Sequence, residues 1–311
     1  MYNEKLKRRF IESYTGSEST AGFCERLFET VARDEEKAGA DICTWSSEAL
    51  SPVLERISRI RSIDRQPHLY VLKKYAKWCA ENGVEGATLN LCGASVTGLS
   101  KIREYMVSGP EDLQNYLNAV FESEAEQSTD SVYRCAYWLA FMGVDKEDAV
   151  ELHRSDVDLT GRVLNCRDRK IALYDLSLDA FRNCALLTAF RYREKWWPRM
   201  SDTMLLSAVK AVYTTDKLKV AMSSKAKKAA DAGLTSKRLS YERVEQSGLF
   251  YRMKEREMAG YGADFSEATE AFMRGREYKL DKNGGTIESI RGRILSDYEK
   301  DYRQWKTAFL V

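Results

Sequence analysis

Residues Tyr133–Phe190, YRCAYWLAFMGVDKEDAVELHRSDVDLTGRVLNCRDRKIALYDLSLDAFRNCALLTAF, decide how the chain folds. Val132, Cys135, Ala136, Leu139 and Ala140 recur at helical spacing and give the first segment one buried face. Gly143 is placed to end that helix in a left-handed turn, and Asp145 to cap a second, short helix through Val150 and Leu152. Two short β-like runs follow, Arg162–Cys166 and Ile171–Leu176, joined by the charged turn Arg167-Asp168-Arg169-Lys170. An amphipathic helix is expected from about Asp179.

Upstream, residues 1 to about 108 read as helices joined by short polar links. Ser19 or Thr20 is placed to cap a helix whose Cys24, Leu27, Phe28 and Val31 share a face. Leu50, Val53, Leu54 and Ile57 repeat the spacing, as do Leu72, Tyr75, Ala76 and Cys79, with Asn82-Gly83 as a stop. Strand signals are nearly absent there, so a small helical bundle is expected over 1–92. The glycine-containing stretch CGASVTGLSKIREYMVSGP makes 93–110 the candidate linker, and Pro110 opens the next helix, whose Leu113, Tyr116, Leu117, Val120 and Phe121 form a buried stripe. A second domain is expected over 111–311.

Downstream, Met204–Val212 and Lys217–Met222 read as helices, followed by a helical SGLFYRMKEREMAG. Lys282-Asn-Gly-Gly285 reads as a turn. Ile287, Ile290, Ile294, Tyr298, Tyr302, Trp305 and Phe309 recur on a last helix. From Lys217 to Arg243 the charge is one-sided, with eight cations against Asp231 and Glu242.

Composition sets the outer limits. Hydrophobic residues at 44% and charged residues at 31% fit a globular protein, and 311 residues suffice for two cores. No apolar run approaches the roughly 20 residues that span a bilayer, and MYNEKLKRRF lacks a signal-peptide core; the expected location is the cytoplasm of a bacterial host, with the nucleoid. The seven cysteines are scattered, never spaced as CxxC, and read as buried hydrophobes. With only His68 and His153, neither metal nor cofactor is expected. A net charge of +2 does not by itself announce a nucleic-acid partner.

The order helix, Met-Gly-Val-Asp turn, short helix, Ser-Asp-Val-Asp, hairpin, helix resembles the opening of the tyrosine recombinase (phage integrase) catalytic domain. More narrowly, ERLFETVARDEE, YAKWC, SGPEDLQNYL, YWLAFMGVDKEDAVELHRSDVD and SGLFYRMKEREMAG look like the degenerate, integrase-shaped phage lytic-cycle repressors of the MrpR-like family. The resemblance implies a mainly α protein with a small β component. A helical core-binding domain and an integrase-type domain would close around duplex DNA.

In that family the turn after the first helix carries an arginine that grips the scissile phosphate; here Asp145 stands there. At about 4 Å and an effective dielectric near 20, two like unit charges repel by roughly 4 kcal/mol. No histidine follows His153, so the family's late His-x-x-Arg box has no counterpart. Lys170 fits the place of the family's hairpin lysine, and Tyr298 or Tyr302 that of its nucleophile. The resemblance therefore implies a catalytically dead scaffold, a repressor that holds operator DNA uncut. Two alternatives stand beside it: an active or atypical site-specific recombinase, and a protein-interaction module without DNA.

Each candidate also has a plainer reading. Asp145 is a natural N-cap, Tyr298 and Tyr302 lie on an apolar stripe, and Lys170 suits a solvated turn. The candidate DNA-contacting cations are Arg56, Arg59, Arg61, Arg65, Arg169, Lys170, Lys225, Lys227, Lys228, Lys237, Arg238 and Arg243, all equally at home on a solvated face. Further expected partners are a second copy through the C-terminal helix and an antagonist protein or peptide.

Overall fold

The computed structural model describes residues 1–14, 18–57, 67–87, 99–121, 129–192, 195–206, 213–274 and 286–311. The chain is mainly α-helical with a small β component and divides into two compact units, Met1–Lys101 and Ile102–Val311.

Unit 1 contains α1 (Glu4–Tyr14), α2 (Glu18–Ala38), α3 (Ser47–Ile57) and α4 (Pro67–Glu81), with a one-turn 3-10 segment at Ile42–Thr44. The three expected apolar stripes form its core: Cys24, Leu27, Phe28, Val31, Leu50, Leu54, Leu72, Tyr75, Ala76 and Cys79 are buried. Phe10, Phe28 and Tyr75 meet at its centre, Tyr75 with ring centroids 5.1 and 4.9 Å from the two phenylalanines. Ser19 and Thr20 lie inside α2, which already begins at Glu18, so neither is its cap. Gly83 has φ +68°, the left-handed conformation that stops α4.

One feature of this core runs against hydropathy. Lys7 is fully buried because it faces a carboxylate: its Nζ lies 2.6 and 2.5 Å from the two oxygens of Glu35, also fully buried. Asp41 stands 3.9 Å from the same ammonium and accepts from Tyr75 Oη and Asn3 Nδ2, each at 3.1 Å. Buried charges persist only when paired and hydrogen-bonded in this way.

Helix α5 (Leu99–Tyr105) begins the described part of the stretch expected as a linker, and residues 93–98 lie outside the described residues. From Ile102 the chain is part of unit 2, where Met106 and Val107 are buried. α6 (Pro110–Val120) then starts on its proline, which donates no N–H where none is needed.

α7 (Thr129–Phe141) is the axis of unit 2. Every residue from Ser131 to Phe141 except Tyr133 is buried, so this helix is enclosed on all sides rather than on one face. α9 (Leu178–Leu186) and α11 (Tyr241–Met258) flank it. Gly248 permits the second contact: a Cβ there would lie 1.8 Å from the Phe141 carbonyl oxygen. After α8 (Lys146–Glu151), strands β1 (Val157–Asp158), β2 (Val163–Cys166) and β3 (Arg169–Ala172) form an antiparallel sheet in that order. The hairpin turn is Arg167-Asp168 alone, with Arg167 at φ +52°. Strand β3 therefore starts two residues before the expected Ile171 and ends at Ala172, and Lys170 lies in it opposite Asn165.

A second hairpin, β4 (Ala189–Tyr192) with β5 (Lys195–Pro198), is not foreshadowed by the sequence pattern. Of the expected helix Met204–Val212, the described residues 204–206 are not helical: Thr203 bridges to His153, the Met204 N–H donates to the Leu152 carbonyl at 2.7 Å, and 207–212 lie outside the described residues. α10 (Thr215–Asp231), capped by the Thr214 hydroxyl, is much longer than the Lys217–Met222 pattern suggests. α12 (Ser266–Met273) and α13 (Ile287–Phe309) complete the unit, and the expected Lys282–Gly285 turn lies outside the described residues. No described helix is long and apolar enough to cross a membrane.

Candidate nucleic-acid interface

The turn between α7 and α8 places Asp145. Gly143 has φ +79°, which releases the chain from α7, and Tyr241 Oη anchors the turn by donating to the Val144 carbonyl at 2.8 Å. The Asp145 carboxylate then accepts the Asp148 backbone N–H at 2.8 Å and is the N-cap of α8, in line with the local pattern. Asp148 is buried and faces Arg167 at 2.5 Å and Arg169 at 3.7 Å.

Carboxylates dominate the side of α11 that meets this turn. Glu242 receives Lys219 and Lys146 at 3.3 and 3.5 Å. Glu245 is pushed up to about 7, first by burial and then by the charges of Asp145 and Glu242. Arg252, three residues after Leu249 on the same helix, brings a cation to the turn that the sequence pattern does not single out. Its Nη1 donates to the Phe141 carbonyl at 2.8 Å, and a Cβ at Gly143 would sit 2.6 Å from its Nη2. The Tyr174 hydroxyl is within electrostatic reach of that guanidinium; burial pushes it up to about 12.

The two late tyrosines differ. Tyr302 is buried, donates to Glu257 Oε2 at 2.7 Å, and has its hydroxyl pushed up by burial and by that carboxylate. Ionising it for nucleophilic attack would set a phenolate against a carboxylate. Tyr298 is half-buried and stacked on Phe265 with centroids 5.8 Å apart. The aromatic stripe of α13 is thus spent within its own unit, where Trp305 Nε1 also donates to the Val107 carbonyl at 3.0 Å. Ile287, at the start of the stripe, is exposed.

The expected basic residues separate into two kinds. Lys237 is structural: its ammonium reaches the Met106 and Arg103 carbonyls at 2.9 and 3.1 Å and Asp112 at 3.0 Å, closing the C-terminal end of α5. Arg238 pairs with Glu104 and Asp231, Lys225 with Asp130, Arg56 with Asp34, and Arg243 donates to Gln246. Arg169 is held by Asp148. Lys170, Lys227 and Lys228 are exposed and have no carboxylate partner among the described residues. Arg59, Arg61 and Arg65 lie outside the described residues.

Unit 1 carries a basic and aromatic face absent from those expectations. Tyr70, Lys74 and Lys77 are exposed at helical intervals on α4, with the Lys74 ammonium 5.5 Å from the centre of the Tyr70 ring. Arg9 of α1 lies 5.7 Å over the half-buried Trp78 of α4. Lys77 is held only loosely, 3.6 Å from the equally exposed Glu81. The signal is present in YVLKKYAKW, where cations fall at the positions the apolar stripe leaves over.

Three comparisons bear on these units. The family profile of the MrpR N-terminal core-binding domain matches residues 1–81. No curated protein matches. Among solved structures, a XerA recombinase is 14% identical over 98% of this chain and 97% of its own, with a TM-score of 0.39. The Tn1549 transposon integrase, in a complex with a circular-intermediate DNA, is 12% identical over 93% and 98%, with a TM-score of 0.36. At those TM-scores the likeness decides nothing, and the architecture rests on the chain's own elements.

Proposed function

We propose that this protein is a sequence-specific duplex-DNA-binding regulator, a phage or prophage lytic-cycle repressor built on a tyrosine-recombinase-type scaffold that no longer cleaves. The observation that carries the reading is Asp145. Where the resembled family keeps a cation for the scissile phosphate, the chain has a carboxylate engaged as a helix cap, with Glu245 and Glu242 beside it. Transition-state charge on a phosphate would meet repulsion there instead of the donors that phosphoryl chemistry requires.

The DNA-binding half of the proposal draws support from the core-binding-domain profile over 1–81 and from the cations of α4 and α10. Lysines and arginines that replace condensed counterions supply most of the affinity, and side chains reaching base edges supply the choice of sequence.

A second reading, an atypical recombinase, has one observation in its favour: Arg252 and Tyr174 stand together at the same turn. One experiment separates the two. The full chain is used to select duplexes from a random library, and the enriched duplex is retested with a nick that traps covalent intermediates. A repressor retains the duplex with steep salt dependence and forms no adduct. An adduct that disappears in Tyr174→Phe, Tyr298→Phe or Tyr302→Phe establishes the recombinase. Absence of any duplex enrichment overturns both.

A further inference from the structure

Where α8 and β2 end, unit 2 has a cavity of about 160 Å³ lined by Asp148, Glu151, Leu152, Asp156, Cys166 and Arg167. Leu152, Cys166 and Asp148 are buried and make its inner wall. Glu151 and Arg167 are exposed at its rim, and Asp156 is half-buried. Asp156 is held in place by its own turn, where its Oδ2 accepts the His153 backbone N–H at 2.8 Å.

The two oxygens of Asp148, whose side chain is only 6% exposed, differ in their partners. Oδ2 receives the Cys166 thiol at 3.7 Å and stands 3.7 Å from Arg169 Nη2. Oδ1 is buried and accepts no hydrogen bond from the described residues. Arg167 Nη2 lies 2.5 Å from it and 3.7 Å from Glu151 Oε2, as an ion pair that is not aligned as a hydrogen bond. A buried carboxylate oxygen in that state costs free energy which a well-aligned charged donor returns. Arg167 itself is 62% exposed and sits at φ +52° on the two-residue hairpin turn, so water competes for its guanidinium and its hold on the cavity is weak.

We infer that this cavity is a docking pocket for an arginine side chain of a partner protein, whose guanidinium takes the place of Arg167 against Asp148 and Glu151. Charge selects the occupant: three carboxylates against one guanidinium attract a cation and repel a phosphate, so nucleic acid is excluded. Size selects it too, because about 160 Å³ is well below the roughly 300 Å³ of a small-molecule site and suits a single side-chain head. Among the described residues no group of three His, Cys, Asp or Glu side chains is placed to hold a metal ion. Arginine fits better than lysine, since its planar fork reaches two carboxylates at once, as Arg167 already does with Asp148 and Glu151. Its methylenes would lie on Leu152 and Cys166. The inference does not depend on the chain binding DNA.

The test titrates the isotope-labelled full-length chain with the end-blocked peptide Gly-Gly-Arg-Gly-Gly and follows backbone amide signals by NMR. The expected result is a saturable shift of the Asp148, Glu151, Leu152 and Arg167 amides. The same peptide with lysine in place of arginine should bind more weakly, and with uncharged citrulline not at all. Arg167→Ala, which empties the pocket, should tighten binding by about two- to fivefold, the equivalent of an exposed ion pair that no longer has to be displaced. Glu151→Gln should weaken it. Both substituted side chains are exposed, so the fold is retained, and unchanged signals elsewhere verify this. Shifts of equal size with citrulline or lysine overturn the inference. So does the absence of a saturable shift at about 10 mM peptide, or an Arg167→Ala chain that binds no more tightly than wild type.

Discussion

Tyr302 Oη donates to Glu257 Oε2 at 2.7 Å, and the same carboxylate oxygen takes the Lys306 ammonium at 2.8 Å. Lys306 in turn lies 4.6 Å over the Tyr302 ring. The three side chains join α13 to α11 and use the hydroxyl as a fastening between helices. Tyr302→Phe should therefore cost about 0.5–1.5 kcal/mol in urea unfolding, the worth of one hydrogen bond, while duplex retention stays at the wild-type level.

Gly248 and Phe141 set the separation of α11 and α7. A Cβ placed 1.8 Å from the Phe141 carbonyl oxygen cannot be absorbed by a rotamer change, because the obstacle is backbone. Gly248→Ala should force the helices apart and destabilise the second unit by about 3 kcal/mol, the upper end for overpacking, measured by urea denaturation.

Glu245 gives the protein a pH dependence of known sign. Its folded value of about 7 lies above its ordinary 4.5, so between those values the folded chain binds more protons than the unfolded one. Stability from this group is present at low pH and falls as pH rises toward 7. The groups facing it are Asp145, Glu242, Glu147 and the opposing Lys146. Glu245→Gln should flatten the melting-temperature profile over that window, with the largest gain over wild type above pH 7. A profile parallel to wild type would contradict the assignment.

Lys7 and Glu35 predict a double-mutant result. Lys7→Met leaves Glu35 buried without its partner and should cost about 3–5 kcal/mol, whereas replacing both by apolar residues of similar volume should recover much of that stability. Chemical denaturation of the two variants against wild type measures the difference.

The cations divide by role, and salt dependence separates them. Lys74→Glu with Lys77→Glu should lower duplex affinity and reduce the log–log salt slope by about 0.9 for each phosphate that is no longer neutralised. Lys237→Ala should instead lower the melting temperature, since its ammonium satisfies the α5 carbonyls and Asp112.

What the sequence determined by itself was local. The left-handed Gly143, the Asp145 cap and the Pro110 start all depend on groups within four residues of each other, and each is found where the pattern places it. The start of β3 differs from its expected place by two residues, because a two-residue turn at Arg167-Asp168 and the expected four-residue turn have the same charged composition. β4–β5 is weakly signalled because Phe190 and Tyr192 alternate with Arg191 and Arg193 over only four residues before the charged Glu194-Lys195, too short a run to mark a strand by its period.

Only the tertiary structure decided which charges are spent. Lys7 and Lys237 look like ordinary surface lysines in one dimension, yet one closes a buried ion pair 28 residues away and the other a helix end 131 residues away. It also brought Arg252 to the Gly143 turn. Periodicity records which face of an element is apolar. The partner a polar group meets on that face is fixed by chain segments far off in sequence, through contacts whose energies appear only once the core has closed.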